Sequence, residues 1–265
     1  SINGTNYQFS DDGYFVDRTF RTSDISDLLK AGENHIQLKL DFKAPQPLSD
    51  DPKTRYGTEI ESIYLIGNFG VKGINQSETF DTQRNRTGDF QKRPVFRFDA
   101  FKIIAEQDQF SGELAENGYP FFAGEFLLSQ NIEMDKIDPA KHYFLELPNN
   151  EAVATVVKIN KQVVDTLVWS PFRTEITDYL VEGENLLELT LVNSLRNLLG
   201  PHHHKGGELT RVGPDSFTGA GGFPDGRGIS DWYDIRTTSG DNPIWTDTYN
   251  IIPFGLLEQA KITSN

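Results

Sequence analysis

The chain has 265 residues, 37% hydrophobic and 24% charged, proportions that exclude collagen, coiled coil and wholesale disorder. It contains no cysteine, which removes disulfide frameworks, zinc knuckles and thiol catalysis. Acidic residues outnumber basic ones by 39 to 25, and a net charge of −14 argues against nucleic acid and anionic membrane surfaces as partners. No stretch reaches the roughly 18 apolar residues of a membrane span. No signal-peptide pattern opens the chain, and Ser1 reads as the product of processing or excision.

In chain order the signals are those of strands. Residues 14–21 form the first candidate. Ile36, Leu38, Leu40 and Phe42 then alternate with polar residues, which predicts a strand with one face on a core. Further candidates are 59–66, 95–104, 121–133, 142–147, 153–160, 187–191 and 248–262. No window of 12 residues or more keeps a helical apolar period without Gly or Pro. Short strands divided by Gly, Pro, Asn and Asp predict an all-β, antiparallel fold of sandwiches. Charge divides the chain unevenly, with 14 basic and 15 acidic residues in 1–105 against 11 and 24 in 106–265. The break predicts two domains, 1–105 and 106–265.

An internal repeat carries more than any single strand. Asp24–Leu38 aligns with Glu175–Leu189 at a constant offset, and Phe20-Arg21-Thr22 and Phe172-Arg173-Thr174 precede the two copies. Further upstream, Ile2-Asn3-Gly4 matches Ile159-Asn160-Lys161. Each copy predicts one helical turn (Ser26–Lys30, Thr177–Val181), a positive-φ stop at Gly32 or Gly183, and a Glu-Asn pair entering an alternating strand. Residues 118–158, ahead of Ile159, read as three strands, whereas only Ser1 stands ahead of Ile2. The first domain therefore reads as a partial sandwich in the C-terminal part of a longer protein, because a half-sandwich on its own would expose a long unpaired edge.

At Pro171–Asn193 the sequence resembles the sugar-binding jelly-roll of glycoside hydrolase family 2. Modules of the same galactose-binding-domain-like kind occur in large bacterial α-L-rhamnosidases. Tyr14–Phe42 resembles a second module, and Glu61–Val71 and Gly118–Gly124 resemble C-terminal regions of rhamnosidase-like proteins from gut bacteria. The resemblance implies two tandem jelly-rolls, the first lacking its opening strands. It also implies a secreted or periplasmic bacterial origin, and a neighbouring catalytic domain in the same polypeptide that carries the catalytic carboxylates. No catalytic residue is expected in this chain, and no cofactor is required. A structural calcium ion is a further implication, with Asp11-Asp12, Asp50-Asp51 and Asp225 with Asp231 and Asp234 as candidate oxygen clusters, none of them at EF-hand spacing.

Residues 193–247 hold ten glycines and two of the three tryptophans without a clean strand. A connection this long is usually functional or wraps the domain. Flat aromatic faces bind sugar C–H patches, while charged and amide groups bond the hydroxyls. Trp232 and Trp245 are the expected stacking platforms here, with Arg196, His202, His203 and Lys205 as hydroxyl ligands. Carbohydrate is thus the expected partner. The alternatives are packing of the loop on the sandwich, completion of a missing domain's active site, and a purely structural spacer. His202-His203-His204 reads first as a polar turn in which one histidine bonds backbone, with a sugar contact or a metal ligand as alternatives. Gly219–Gly228 lacks the strand and helix a phosphate loop needs. Tyr119, Trp169 and Phe172 read as aromatics at the edge of the core, with a sugar platform as the alternative.

Overall fold

The computed structural model describes residues 1–44, 46, 50, 51, 58, 63–84, 90–107, 112–200, 202, 203 and 246–265. They form an all-β, antiparallel fold in two compact units, Ser1–Ile66 and Gly67–Asn265. The division lies well before the break in charge at 105/106. Within the second unit β3 (Gly70–Ile74) pairs with β6 (Ala100–Ile104), and β5 (Phe90–Phe98) pairs with β4 (Ser77–Arg84) and, across 105/106, with β13 (Tyr249–Ile251).

The second unit contains a sandwich. One sheet runs β10 (Gln162–Leu167), β9 (Ala154–Ile159), β12 (Gly183–Asn193), β7 (Gly124–Met134). The other runs β11 (Arg173–Glu175), β8 (Tyr143–Glu146), β14 (Lys261–Ser264). Alternation in β12 sends Leu187, Leu189 and Leu191 inward, where they join Val157 and Ile159 of β9 and Tyr143 and Leu145 of β8 in one core. Phe254 and Leu256 extend that core, and Leu114 joins it. Burying each such side chain contributes about 1.5–3 kcal/mol. The segments within 118–158 that read as three strands do form three, β7, β8 and β9. A smaller cluster of Phe96, Phe98, Ala115 and Ile251, with Phe101 and Phe121 against it, belongs to the β13-β5-β4 sheet and its surroundings.

Among the described residues the first unit contains β1 (Tyr14–Phe15) and β2 (Asp17–Arg21), paired with each other, and isolated ladder contacts of Ile2 with Ile36 and with Thr5. Here the structure corrects the prediction for 36–42. No strand is assigned over 37–42, and Ile36, Leu38, Leu40 and Phe42 are exposed, Leu38 by 59% and Phe42 by 69%. Alternation creates an apolar face, but only an opposing sheet turns that face into a core. Among the described residues of this unit no such sheet stands opposite. Of the candidate at 59–66, residues 63–66 are described and form no strand.

The repeat is reproduced bond for bond. Asn3 and Asn160 both sit at φ +51°, where asparagine is among the few tolerated side chains. Each donates to a turn carbonyl, Leu28 at 2.9 Å or Tyr179 at 3.0 Å, and to the second asparagine, Asn34 or Asn185, at 2.9 Å. Asn34 and Asn185 in turn close the loop after a single 3-10 turn, Ser26–Leu28 or Thr177–Tyr179. Asn34 bonds the backbone of Lys30 and Gly32, and Asn185 that of Val181 and Gly183. Gly32 and Gly183 occupy φ +86° and +89°, the positive-φ stop that the sequence demands.

Candidate functional site

The site expected in 193–247 is described at its two roots. After β12, the Asn193 amide donates to the Phe122 carbonyl at 2.8 Å, and the Ser194 hydroxyl accepts the Arg196 N–H at 3.2 Å. The one-turn helix α1 (Arg196–Leu199) follows. Gly200 ends it at φ +93°, and a Cβ there would lie 3.0 Å from the backbone nitrogen of His202 and 3.3 Å from its Nδ1. Glycine is therefore required by both conformation and close approach.

His202 and His203 are half-buried, and both rings are bonded to backbone. His202 Nε2–H donates to the Asn197 carbonyl at 2.7 Å. His203 Nδ1 lies 3.0 Å from the Thr246 carbonyl and 3.1 Å from that of Thr248, so its proton sits on Nδ1. Burial pushes the His202 pKa below its ordinary 6.5. The charge of Arg196 acts in the same direction, and the carbonyl bond to Asn197 opposes both. Of the residues expected to bond sugar hydroxyls, Arg196, His202 and His203 are described. Lys205, Trp232 and Trp245 lie outside the described residues, as do His204, Gly219–Gly228 and the Asp225, Asp231 and Asp234 cluster.

The structure adds partners that no sequence signal marked. Asn250, fully buried in β13, donates its backbone N–H to the His202 carbonyl at 2.7 Å and its side-chain amide to the same oxygen at 3.0 Å. Its Oδ1 accepts from Arg97 Nε at 2.9 Å, across the β13–β5 register. Asn197 bonds both backbone groups of Ile252. Rings surround these bonds. Tyr249 lies 4.5 Å from His203 and 5.2 Å edge-on from Phe101, and Phe121 meets His202 edge-on at 5.7 Å, all between ring centroids. These residues are dispersed in sequence and converge only through the β13–β5 pairing. The arrangement can do two things chemically. It presents aromatic surface, and it fixes which nitrogen of each imidazole carries a proton.

Among the described residues no group of three or more His, Asp or Glu is placed to hold a metal. Of the candidate oxygen clusters, Asp11 is paired with Arg21, and Asp12 accepts from the Ser10 hydroxyl at 2.8 Å and the Asp24 N–H at 2.9 Å. Glu113 is a half-buried carboxylate outside the predicted set. It accepts backbone N–H groups from Ala115, Glu116 and Phe254, and burial raises its pKa above the ordinary value despite them.

No family model and no curated protein matches the chain. Solved structures similar to it include a rhamnosidase from Novosphingobium sp. PP1Y, at 15% identity and a TM-score of 0.29, covering 74% of this chain and 16% of that one. A β-D-glucuronidase of Dictyoglomus thermophilum is 17% identical at a TM-score of 0.27, over 52% of this chain and 22% of the other. A Bifidobacterium dentium β-glucuronidase complexed with coumarin-3-O-glucuronide is 12% identical at 0.31, over 74% and 31%. The chain therefore spans between about a sixth and a third of the length of these proteins. Likeness at these scores carries no weight for the site or its chemistry.

Proposed function

We propose that the chain is a non-catalytic carbohydrate-binding or scaffolding region of a secreted bacterial glycoside hydrolase of the rhamnosidase-like kind. The carbohydrate site is the one rooted at Arg196, His202 and His203, with Lys205, Trp232 and Trp245 supplying further contacts. The observation that supports this reading is the ring group of Tyr249, His203, His202 and Phe121, ordered by bonds from both imidazoles to backbone carbonyls. A sugar is neutral, flat on its C–H face and dense in hydroxyls. Ordered rings, with imidazoles already bonded to backbone carbonyls, match those three properties without the loss of much rotamer freedom on binding. Calorimetry with rhamnose, galactose and pectic oligosaccharides tests it. Heat of binding is expected with at least one of them, weakened at least tenfold by His203→Ala and by Trp232→Ala or Trp245→Ala. Absence of heat with every sugar overturns the reading, and release of reducing sugar by the isolated chain overturns its non-catalytic part.

A further inference from the structure

Trp169 departs from its predicted place at the edge of the core. Tyr119 and Phe172 do pack against the core, but Trp169 is 76% exposed, and Val168 before it is exposed as well. The turn that carries the ring is clamped at both ends. Leu167, the last residue of β10, is buried. On the other side the Phe172 carbonyl accepts the Leu147 N–H at 2.9 Å, and the Arg173 N–H donates to the Pro171 carbonyl at 2.9 Å. An indole left outside forfeits the burial of a side chain that covers about 150–250 Å² in a core. It does so here on a turn bonded in place.

Polar groups come directly after the ring. Arg173 Nε donates to Glu146 Oε1 at 3.1 Å, and the guanidinium carbon lies 3.4 Å from the centre of the Phe144 ring. The same Glu146 oxygen accepts the Thr263 hydroxyl at 2.9 Å. Arg173 is four residues beyond Trp169, so at about 3.5 Å per residue their Cα atoms lie no more than about 14 Å apart. The Arg173–Glu146 pair carries no net charge and is already ordered by the ring beneath it and the hydroxyl beside it.

We propose that Trp169, Arg173 and Glu146 form a carbohydrate subsite separate from the His202–His203 site. One pyranose unit lies with its C–H face on the indole, and its hydroxyls, or those of the next unit, bond the guanidinium and the carboxylate. The balanced charge selects a neutral oligosaccharide over a uronic acid. The ligand class rests on the proposed function, whereas the position is independent of it.

The test uses the whole chain with Trp232→Phe and Trp245→Phe, which leaves Trp169 as the only indole of the three. Titration with lactose, cellobiose, maltose and rhamnose is expected to shift the fluorescence emission to the blue with at least one of them. Arg173→Met is expected to weaken that response at least tenfold with an unchanged melting temperature. An unshifted emission, with calorimetric heat retained in the natural chain and abolished by His203→Ala, overturns this subsite and leaves the proposed function standing. An unshifted emission with no heat from any sugar overturns both. A shift that Arg173→Met leaves intact overturns the role of the Arg173–Glu146 pair.

Discussion

Asn34 and Asn185 close the same loop in the two halves of the repeat, through the same set of backbone bonds and at nearly the same distances. The two halves part just beyond these asparagines. After Asn185 the leucines of β12 lie between two sheets, and Leu191 is fully buried. After Asn34 the matching Ile36, Leu38 and Leu40 face solvent. Even the strand contacts agree up to that point, since Ile2 meets Ile36 as Ile159 meets Leu187. Local hydrogen bonding and core burial are therefore separable in this fold. A turn can be reproduced to the last bond while the face it leads into meets no opposing sheet among the described residues.

The largest expected contrast lies in the apolar rows. Leu189→Ala should destabilise the second unit by about 2–5 kcal/mol, because the opposing sheet leaves a cavity that cannot fully collapse. Leu38→Ala should change the first unit by less than about 0.5 kcal/mol. Urea unfolding followed by hydrogen exchange in each unit reads both, and comparable losses would break the comparison. The asparagines come next. Asn185 is fully buried, so Asn185→Ala removes its bonds to the backbone of Val181 and Gly183 and should cost about 2–3 kcal/mol, whereas Asn34→Ala, at a half-buried position where water can replace the amide, should cost about 1 kcal/mol or less.

A smaller effect depends on pH and belongs to the second unit. Glu113 holds the segment beside Leu114 to Phe254, and burial raises its native pKa above 4.5. A carboxyl raised in the native state binds its proton more tightly folded than unfolded. Its contribution is fully present below 4.5 and is lost as pH rises through the raised value. Acidification from neutral pH toward about 5 should therefore raise the urea midpoint of the second unit more in the natural chain than in Glu113→Gln. The smallest contrast is an expected equality. Gly32→Ala and Gly183→Ala both force a side chain into the left-handed region, with no atom closer than 3.8 Å to obstruct it. Each should cost about 1–2 kcal/mol, and a marked inequality in thermal unfolding would show that the two turns are not equivalent.

The candidate site was legible in part. Arg196, His202 and His203 stood out as polar ligands in a long glycine-rich connection, and the structure describes their backbone surroundings. Asn197, Asn250, Arg97 and Tyr249, which order the two imidazoles, carried no signal. Their spacing in sequence obeys no period, and they meet only because β13 pairs with β5. Trp169 misled for a related reason. An aromatic at a strand end is as compatible with a core edge as with a protruding turn, and the bonds of Leu147 and Arg173 around it decide between them.

By itself the sequence determined the all-β character, most of the strands of the sandwich in the second unit, and the turns of the repeat with their positive-φ glycines. Those features depend on dihedral preferences and on hydrogen bonds between residues at most a few tens apart, and such information is written locally. Only the tertiary structure decided which apolar faces are covered, where the two units divide, and which polar side chains converge on His202 and His203. Each of those outcomes needs a partner from a distant strand. Alternation names the two faces of a strand, but burial depends on the sheet that arrives opposite.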